Sequence, residues 1–230
     1  MSEPNNTPQI KDDIKQAYDD IAPTYLTWTQ STHGVRLSYV EAMLKHHSHP
    51  NKEAPRMNIL ELGCGAGVPV TELLASRENT SVTANDISAT QIAMAKERLP
   101  ESVRLIQGDM MELNFDKEHF DAVLAMYSII HLPRDEQTAM LHRIYGWLKP
   151  GGHFLANFAA EGFEGSSNQS WLGGTKGAMY WSGWGKDKTR AILGDIGFET
   201  VIDEVVTDIE EENGVSRNVQ FHWILAKKAV

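Results

Sequence analysis

Short apolar runs alternate with amphipathic stretches along most of the chain after residue 57. The runs rich in β-branched residues predict strands, and the segments with apolar residues at helical spacing predict helices between them. The predicted strands are residues 58–62, 82–86, 103–107, 120–125 and 153–158, and the predicted helices are residues 69–76, 89–98 and 134–147. Such alternation, with nearly continuous apolar strands, is typical of a parallel sheet that helices cover on both faces.

The C-terminal part of the chain departs from this alternation. A predicted helix at residues 186–193 is followed by two apolar runs, 198–206 and 220–226, and the acidic, glycine-containing segment 210–214 separates them. Two strands joined by a polar turn predict an antiparallel hairpin. The predicted fold class is therefore α/β, with a Rossmann-like, mostly parallel sheet, helices on both faces and a C-terminal antiparallel hairpin.

Length and composition indicate a single domain. The chain has 230 residues, of which 41% are hydrophobic, and this is enough to bury one large core. Residues 1–11 carry no periodic apolar pattern and are predicted to be disordered. Residues 12–230 are predicted to form the domain, with a helical cap at 12–50 and a segment rich in Trp and Gly at 160–185.

Charge and cysteine content argue against several classes of protein. A net charge of −10 offers no positive field for a nucleic-acid backbone. Cys64 is the single cysteine, so no internal disulfide can form and a reducing compartment is expected. The polar, acidic start does not resemble a secretory signal, and no apolar run is long enough to span a membrane. We therefore expect a cytoplasmic protein.

The cluster His46, His47 and His49 lacks ligand spacing with acidic partners, and no metal site is predicted.

The most specific motif is ILELGCGAG at residues 59–67, between the first predicted strand and the following helix. Glycines at such a turn let a ligand approach the backbone closely. A dinucleotide fingerprint would require a third glycine where this chain has Val68. The carboxylate of Glu61 would repel a pyrophosphate, but it suits a ligand that carries an ammonium and a sulfonium, as S-adenosyl-L-methionine does.

This motif resembles the first motif of class I S-adenosylmethionine-dependent methyltransferases, within the small-molecule group called type 11. The resemblance covers residues 14–158. It implies that Asp86 holds the ribose hydroxyls and that Asp109 takes the adenine amino group, with Ile87 and Met110 against the ring. The implied cofactor contacts are Tyr18, Tyr25, Glu61, Gly63, Cys64, Gly65, Asp86, Ile87, Asp109, Met110, Ala125 and Met126.

Some of these residues also have an alternative interpretation. Asp86 could instead cap the helix that begins near Ser88, and Asp109 could satisfy loop amides. The segment YDDIAPTY at residues 18–25 resembles the part of these methyltransferases that folds over the cofactor, although Leu26 stands where an acid is usual. Tyr18 or Tyr25 could supply a hydroxyl to the methionine carboxylate, or both could pack in the core.

Candidate catalytic residues follow the fourth predicted strand. Methyl transfer needs an aligned nucleophile and, when that nucleophile is a hydroxyl, removal of its proton. His131 could act as the general base because its pKa lies near neutrality, although a structural or cofactor-side role is an alternative. Tyr127 is the second candidate.

Candidate substrate contacts are mostly aromatic and lie mainly in the segment 160–185. Large aromatic faces recognise flat or cationic ligands, and the resemblance implies that this insertion forms a substrate wall. The alternative is that the tryptophans only pack the segment onto the sheet. The predicted substrate-binding residues are Trp28, Trp171, Tyr180, Trp181, Trp184 and His222.

These observations predict an S-adenosylmethionine-dependent methyltransferase that acts on a small, apolar or aromatic metabolite and releases S-adenosyl-L-homocysteine. The acceptor atom and the oligomeric state stay open. Two alternatives also stay open: an enzyme of the same fold that uses S-adenosylmethionine without methylating, and an NAD-binding oxidoreductase.

Overall fold

A computed structural model describes residues 7–47, 56–212 and 214–230 of the chain. The secondary structure elements, in chain order, are α1 (Thr7–Trp28), α2 (His33–His47), β1 (Met57–Leu62), α3 (Val70–Ala75), β2 (Thr80–Asp86), α4 (Ala89–Arg98), β3 (Arg104–Gln107), β4 (Phe120–Ala125), α5 (Arg134–Trp147), β5 (Leu148–Ala159), β6 (Gly162–Asn168), β7 (Met179–Trp184), α6 (Lys186–Ile196), β8 (Phe198–Glu212) and β9 (Val215–Lys228). None of the described helices is both long enough and apolar enough to cross a membrane.

A seven-stranded sheet forms the centre of the fold, with strand order β3-β2-β1-β4-β5-β9-β8. Strands β1 to β5 are parallel to one another, and β9 runs antiparallel to both β5 and β8. The predicted fold class is confirmed. The carboxyl ends of β1, β2 and β4 meet at one edge, which is where open α/β sheets bind ligands.

Both faces of the sheet are buried, and this explains the continuous apolar runs. Ile59 of β1 packs into the cluster that includes α2 and α3, whereas Leu60 packs into the cluster that includes α5 and α6. Both side chains are fully buried. A strand covered on both faces needs apolar residues at successive positions, so it shows no polar alternation.

The N-terminal helix begins earlier than the sequence predicts. The prediction of disorder through residue 11 is wrong for residues 7–11, which form the first turns of α1. Lys11 stabilises these turns, because its Nζ lies 2.6 Å from Asp109 Oδ2 and 2.7 Å from Glu136 Oε1. This tertiary contact has no local sequence signal. The remaining predicted disorder, residues 1–6, lies outside the described residues, as do residues 48–50 of the predicted cap.

The segment 160–185 forms a small sheet of its own. Strands β6 and β7 pair antiparallel, with a short 3-10 turn, Trp171–Gly173, between them. No strand is predicted here, because the glycines of β6 have low strand propensity and the aromatic residues of β7 are interpreted as substrate contacts. Met179 and Tyr180 of β7 are buried against α1, so packing against the cap determines this strand.

The C-terminal hairpin is longer than the sequence predicts. The acidic residues 210–212 belong to the predicted turn, but β8 continues through Glu212. The register places Glu210 opposite Arg217, and such a cross-strand pair of opposite charges favours pairing. Strand β8 lies at the edge of the sheet, where charged side chains are tolerated.

Candidate active site

A cavity lies at the carboxyl ends of β1, β2 and β4, and α1 forms its cover. Gly63 and Gly65, in the turn after β1, line it. Gly63 has a φ of +74°, and an added Cβ would lie 2.4 Å from the Cβ of Ser128. The turn therefore requires glycine. The predicted cofactor and catalytic residues that line this first cavity are Tyr18, Tyr25, Gly63, Gly65, Asp86, Ile87, Asp109, Met110, Tyr127 and His131.

Two carboxylates at this cavity are fixed by backbone amides. Asp86 Oδ2 accepts a hydrogen bond from the Gly65 amide at 2.8 Å, and its Oδ1 accepts one from the Ser88 amide at 2.9 Å. Burial raises the pKa of Asp86 to about 6. Asp109 Oδ1 accepts a hydrogen bond from the Met111 amide. Asp109 therefore makes the contact with a loop amide that the sequence suggests as an alternative role. The helix cap of α4 is the Ser88 side chain and not Asp86.

Several buried polar atoms in the cavity have no hydrogen-bond partner among the described residues. They are Asn85 Oδ1, Ser128 Oγ and both amide heteroatoms of Gln91. Each such group costs about 1–3 kcal/mol while it stays unsatisfied. These atoms would pair with a polar ligand. Sequence reasoning missed all three residues, because single polar residues beside a motif carry no periodic signal.

Four predicted cofactor residues lie outside the wall of this cavity. Glu61 points to α3, where Thr71 Oγ1 donates to its Oε2 at 2.6 Å, and burial raises the pKa of Glu61 to about 7. Its position on β1 did not reveal which neighbour it would face. Cys64 lines a smaller adjacent pocket with Tyr25. Ala125 and Met126 are buried in the core on opposite faces of the sheet.

Tyr18 and His131 form a buried hydrogen-bonded pair at the cavity. The Tyr18 hydroxyl lies 2.8 Å from His131 Nε2, and His131 Nδ1 lies 2.7 Å from the carbonyl oxygen of Tyr180. Because a carbonyl oxygen only accepts, we assign the ring proton to Nδ1, and Nε2 then accepts from Tyr18. Burial lowers the pKa of His131 to about 4, so the ring is neutral at pH 7.

Tyr127 is held in a strained position by contacts away from the cavity. Its φ of +53° is in the left-handed region, which is costly for a residue with a side chain. Its hydroxyl donates to Asp208 Oδ2 at 2.6 Å, and the Arg36 guanidinium lies 4.4 Å from the ring centroid. Burial and Asp208 raise the pKa of Tyr127 well above its usual value. The phenol therefore stays protonated, which favours a positioning role over that of a base.

A second cavity, of about 800 Å³, lies between the β6–β7 sheet and the C-terminal hairpin. A layer of rings separates it from the first cavity. Across this layer, the ring centroids are 5.8 Å apart for Tyr25 and Trp171, 6.0 Å for His131 and Trp181, and 4.9 Å for Tyr127 and Phe221. The two cavities are therefore adjacent, with aromatic side chains between them.

Three predicted substrate residues line this second cavity, namely Trp28, Trp171 and Trp181. Tyr180 instead is buried against α1, and its hydroxyl donates to the Glu164 carbonyl oxygen at 3.2 Å. Trp184 packs on α5, where its Nε1 donates to the Arg134 carbonyl oxygen. Side chains alternate along a strand, so Trp181 and Trp184 of β7 face opposite ways.

His222 also lies away from both cavities. It is fully buried on β9, and its Nε2 is 3.0 Å from Asp203 Oδ1 on β8. Its neighbour Phe221 points to the opposite face and lines the second cavity. The residues of this wall that sequence reasoning missed include Phe221, Glu210, Glu212 and Arg217. The sequence predicts a turn at the acidic segment 210–214, and a predicted turn does not indicate which way the glutamate side chains face.

Comparison with known families identifies a methyltransferase domain at residues 59–152. The chain is 34% identical over 139 residues to sterol 24-C-methyltransferase ERG6B of Gibberella zeae. The matched part is 55% of this chain and 36% of that protein. The chain is 27% identical over 168 residues to (+)-O-methylkolavelool synthase of Herpetosiphon aurantiacus, over 65% of this chain and 57% of the relative. The chain thus spans between a third and three fifths of these curated relatives.

The same fold occurs in solved methyltransferase structures. The 1,6-didemethyltoxoflavin-N1-methyltransferase of Burkholderia thailandensis, with bound 1,6-didemethyltoxoflavin and S-adenosylhomocysteine, superposes with a TM-score of 0.67. The match covers 100% of this chain and 92% of that one, at 16% identity. At this level of identity, the similarity establishes the fold.

Proposed function

We propose that this chain, which matches a methyltransferase domain over residues 59–152, transfers a methyl group from S-adenosyl-L-methionine to a small-molecule acceptor and releases S-adenosyl-L-homocysteine. The main support is the first cavity, where Asp86, Asp109 and the glycine turn meet at one sheet edge. Its unpaired buried atoms fit a ligand rich in hydrogen-bonding groups, and its carboxylates fit a ligand with cationic groups.

Each part of the cofactor has a matching group in this cavity. Asp86 would accept hydrogen bonds from the ribose hydroxyls through its remaining lone pairs. Ile87 and Met110 would pack against the adenine, with Asp109 near its amino group. Gly63 would allow close approach of the methionine part, and the unpaired groups of Gln91 and Ser128 would offer it polar contacts.

The chemistry places modest demands on the protein. When bound, S-adenosyl-L-methionine supplies an electrophilic methyl group on a sulfonium. The protein aligns the acceptor, excludes water and removes a proton where the acceptor carries one. Tyr18 and His131 suit this proton removal, because the Tyr18 oxygen can accept a proton while its own proton moves to His131 Nε2. The Tyr180 carbonyl would then stabilise the imidazolium through Nδ1.

The adjoining second cavity supports a small acceptor with an apolar or aromatic body. It is bounded by Trp28, Trp171 and Trp181, which supply large flat faces. The net charge of −10 argues against RNA or DNA, which need several cationic contacts to phosphates. The single cysteine, which has no disulfide partner within the chain, supports a cytoplasmic protein.

Two measurements test this proposal. Calorimetry should detect S-adenosylhomocysteine binding at micromolar affinity and no comparable binding of NADH. Labelled methyl groups should pass to components of a pooled metabolite extract and not to RNA or basic proteins. Binding without any transfer would favour the non-methylating alternative, and preferential binding of NADH would contradict the proposal.

Two variants of β7 test the role of the second cavity. Trp181→Ala should raise the KM of the acceptor at least tenfold while the affinity for S-adenosylhomocysteine stays within threefold. Trp184→Ala is the matched control, because this tryptophan faces α5 on the same strand. It should lower thermal stability and leave the acceptor KM unchanged. Equal KM effects of the two variants would place the acceptor elsewhere.

A further inference from the structure

We infer that the second cavity binds the acceptor as an organic cation, namely an amine with an aromatic or apolar body. This inference rests on the proposed function and narrows it to a substrate class. It is carried by two features of the cavity wall that meet in space, a set of indole faces and a pair of half-buried carboxylates from β8.

The aromatic side of the wall has the geometry of a cation-binding surface. The centroids of Trp28 and Trp171 are 5.4 Å apart with their planes at 79°, and those of Trp171 and Trp181 are 5.4 Å apart at 88°. At these angles, the edge of one ring meets the face of the next. The face of an indole attracts a cation by roughly 0.5–2 kcal/mol, depending on desolvation.

Another part of the wall is acidic. Glu210 and Glu212 line the cavity and lie on the same face of β8 as Asp208, because side chains two positions apart share a face. The Asp208 carboxylate is already engaged by the Tyr127 hydroxyl. The Glu210 carboxylate accepts no hydrogen bond within the described part of the chain, and burial together with Asp208 and Glu212 raises its pKa to about 7. A half-buried carboxylate without a hydrogen-bond donor is strongly stabilised when a cation binds beside it.

One cation of the protein belongs to this wall. Arg217 lies across the hairpin from Glu210, and its charge lowers the pKa of that carboxyl. Its side chain is exposed to solvent, whereas Glu210 is half-buried. The lining therefore carries two carboxyl groups against one guanidinium, and negative charge is in excess when both carboxyl groups are ionised. An anionic acceptor would be repelled by this excess and by the nearby Asp208 carboxylate.

The transfer to an amine balances without a further reactant. An ammonium group first gives up a proton, which the Tyr18–His131 pair on the wall of the first cavity can take up. The free amine then forms a C–N bond to the methyl carbon as the C–S bond breaks, and the electron pair returns to sulfur. The product amine carries the positive charge that the sulfonium lost, so the site faces a cation before and after the step.

A binding experiment separates this inference from the proposed function. The protein is saturated with S-adenosylhomocysteine, and tryptophan fluorescence follows the titration of three probes with the same ring: benzyltrimethylammonium, 3-phenylpropan-1-ol and 3-phenylpropionate. We expect the cation to bind at least tenfold more tightly than the alcohol, and the anion to bind most weakly. Equal affinities for the cation and the alcohol would overturn the inference, while S-adenosylhomocysteine binding would still support the proposed function.

Charge-removing variants provide the controls. Glu210→Gln keeps the size of the side chain and should reduce the preference for the cation at least fivefold. Glu211→Gln removes a carboxylate from the exposed face of the same strand and should not change it. Glu212→Gln is a second variant in case the first one unfolds. Equal behaviour of Glu210→Gln, Glu212→Gln and Glu211→Gln would contradict a carboxylate contact with the ligand.

Discussion

The Tyr18 hydroxyl and His131 Nε2 are 2.8 Å apart, although the two residues are 113 positions apart in the sequence. This hydrogen bond joins α1, the cover of the first cavity, to the turn that follows β4. Both groups are buried, and the other nitrogen of His131 is fixed by the Tyr180 carbonyl oxygen. The pair therefore connects the cap, the central sheet and β7 at one point of the candidate active site.

We expect Tyr18→Phe and His131→Gln to lower kcat by about 100-fold each, in the lower part of the range for general acid–base catalysis. Because the two groups would act as one unit, the double variant should be no worse than the single ones. Steady-state kinetics of all three variants checks this. Effects that multiply in the double variant would show independent roles.

The buried Glu61 predicts a specific dependence of stability on pH. Its pKa is about 7 in the folded protein against an ordinary value of 4.5, so the folded state binds the proton more tightly. Proton binding at Glu61 therefore contributes to the free energy of unfolding at low pH, and this stabilisation is lost as the pH rises from about 4.5 to 7. Glu61→Gln should therefore stabilise the protein by about 3 kcal/mol at pH 8.5, since the pKa lies about 2.5 above its ordinary value and one pKa unit is worth about 1.4 kcal/mol.

Urea unfolding of this variant at pH 4.5 and pH 8.5 measures the effect. The stabilisation should vanish at pH 4.5, where the carboxyl is neutral in the fold. Glu72→Gln is the control, because Glu72 is exposed on the neighbouring helix α3. The same gain at both pH values would mean that the effect does not come from ionisation of Glu61.

Removal of the Asp86 carboxylate should weaken cofactor binding. We expect Asp86→Ala to reduce the affinity for S-adenosylhomocysteine by about 2–3 kcal/mol, since two charge-assisted hydrogen bonds to the ribose would be lost. Calorimetry measures the change. Asp121→Ala is the control, because Asp121 lies near the start of β4, at the opposite edge of the sheet, and pairs with Lys149. Unchanged affinity in Asp86→Ala would place the ribose elsewhere.

Lys11 should influence how fast the ligand leaves. Its contacts with Asp109 and Glu136 fasten α1 over the first cavity. Lys11→Met should therefore increase the dissociation rate of S-adenosylhomocysteine several-fold, and stopped-flow displacement can measure this rate. Lys15→Met removes an ion pair with Asp19 inside α1 and should leave the rate nearly unchanged. A dissociation rate unaffected by Lys11→Met would show that α1 is held by its apolar contacts alone.

The sequence predicted the parallel part of the sheet well because its signal is local. The glycine turn at Gly63 and the acid at the end of β2 follow from strand-to-helix geometry, and both line the first cavity. The β6–β7 pairing and the start of α1 were missed, since contacts with distant residues determine them. Lys11 illustrates this, because its partners Asp109 and Glu136 are about a hundred residues away in the chain.

The sequence by itself predicted the fold class and the position of the candidate ligand-binding edge, because apolar periodicity and turn chemistry are properties of neighbouring residues. Only the tertiary structure decided which side chains face a cavity. Glu61 and Asp86 both stand near the ends of strands, yet Glu61 pairs with Thr71 and Asp86 lines the cavity. Beside the second cavity, Trp28 Nε1 lies 2.8 Å from the Glu211 carbonyl oxygen, across 183 positions of the sequence. Such contacts depend on the packing of whole elements, which no local pattern specifies.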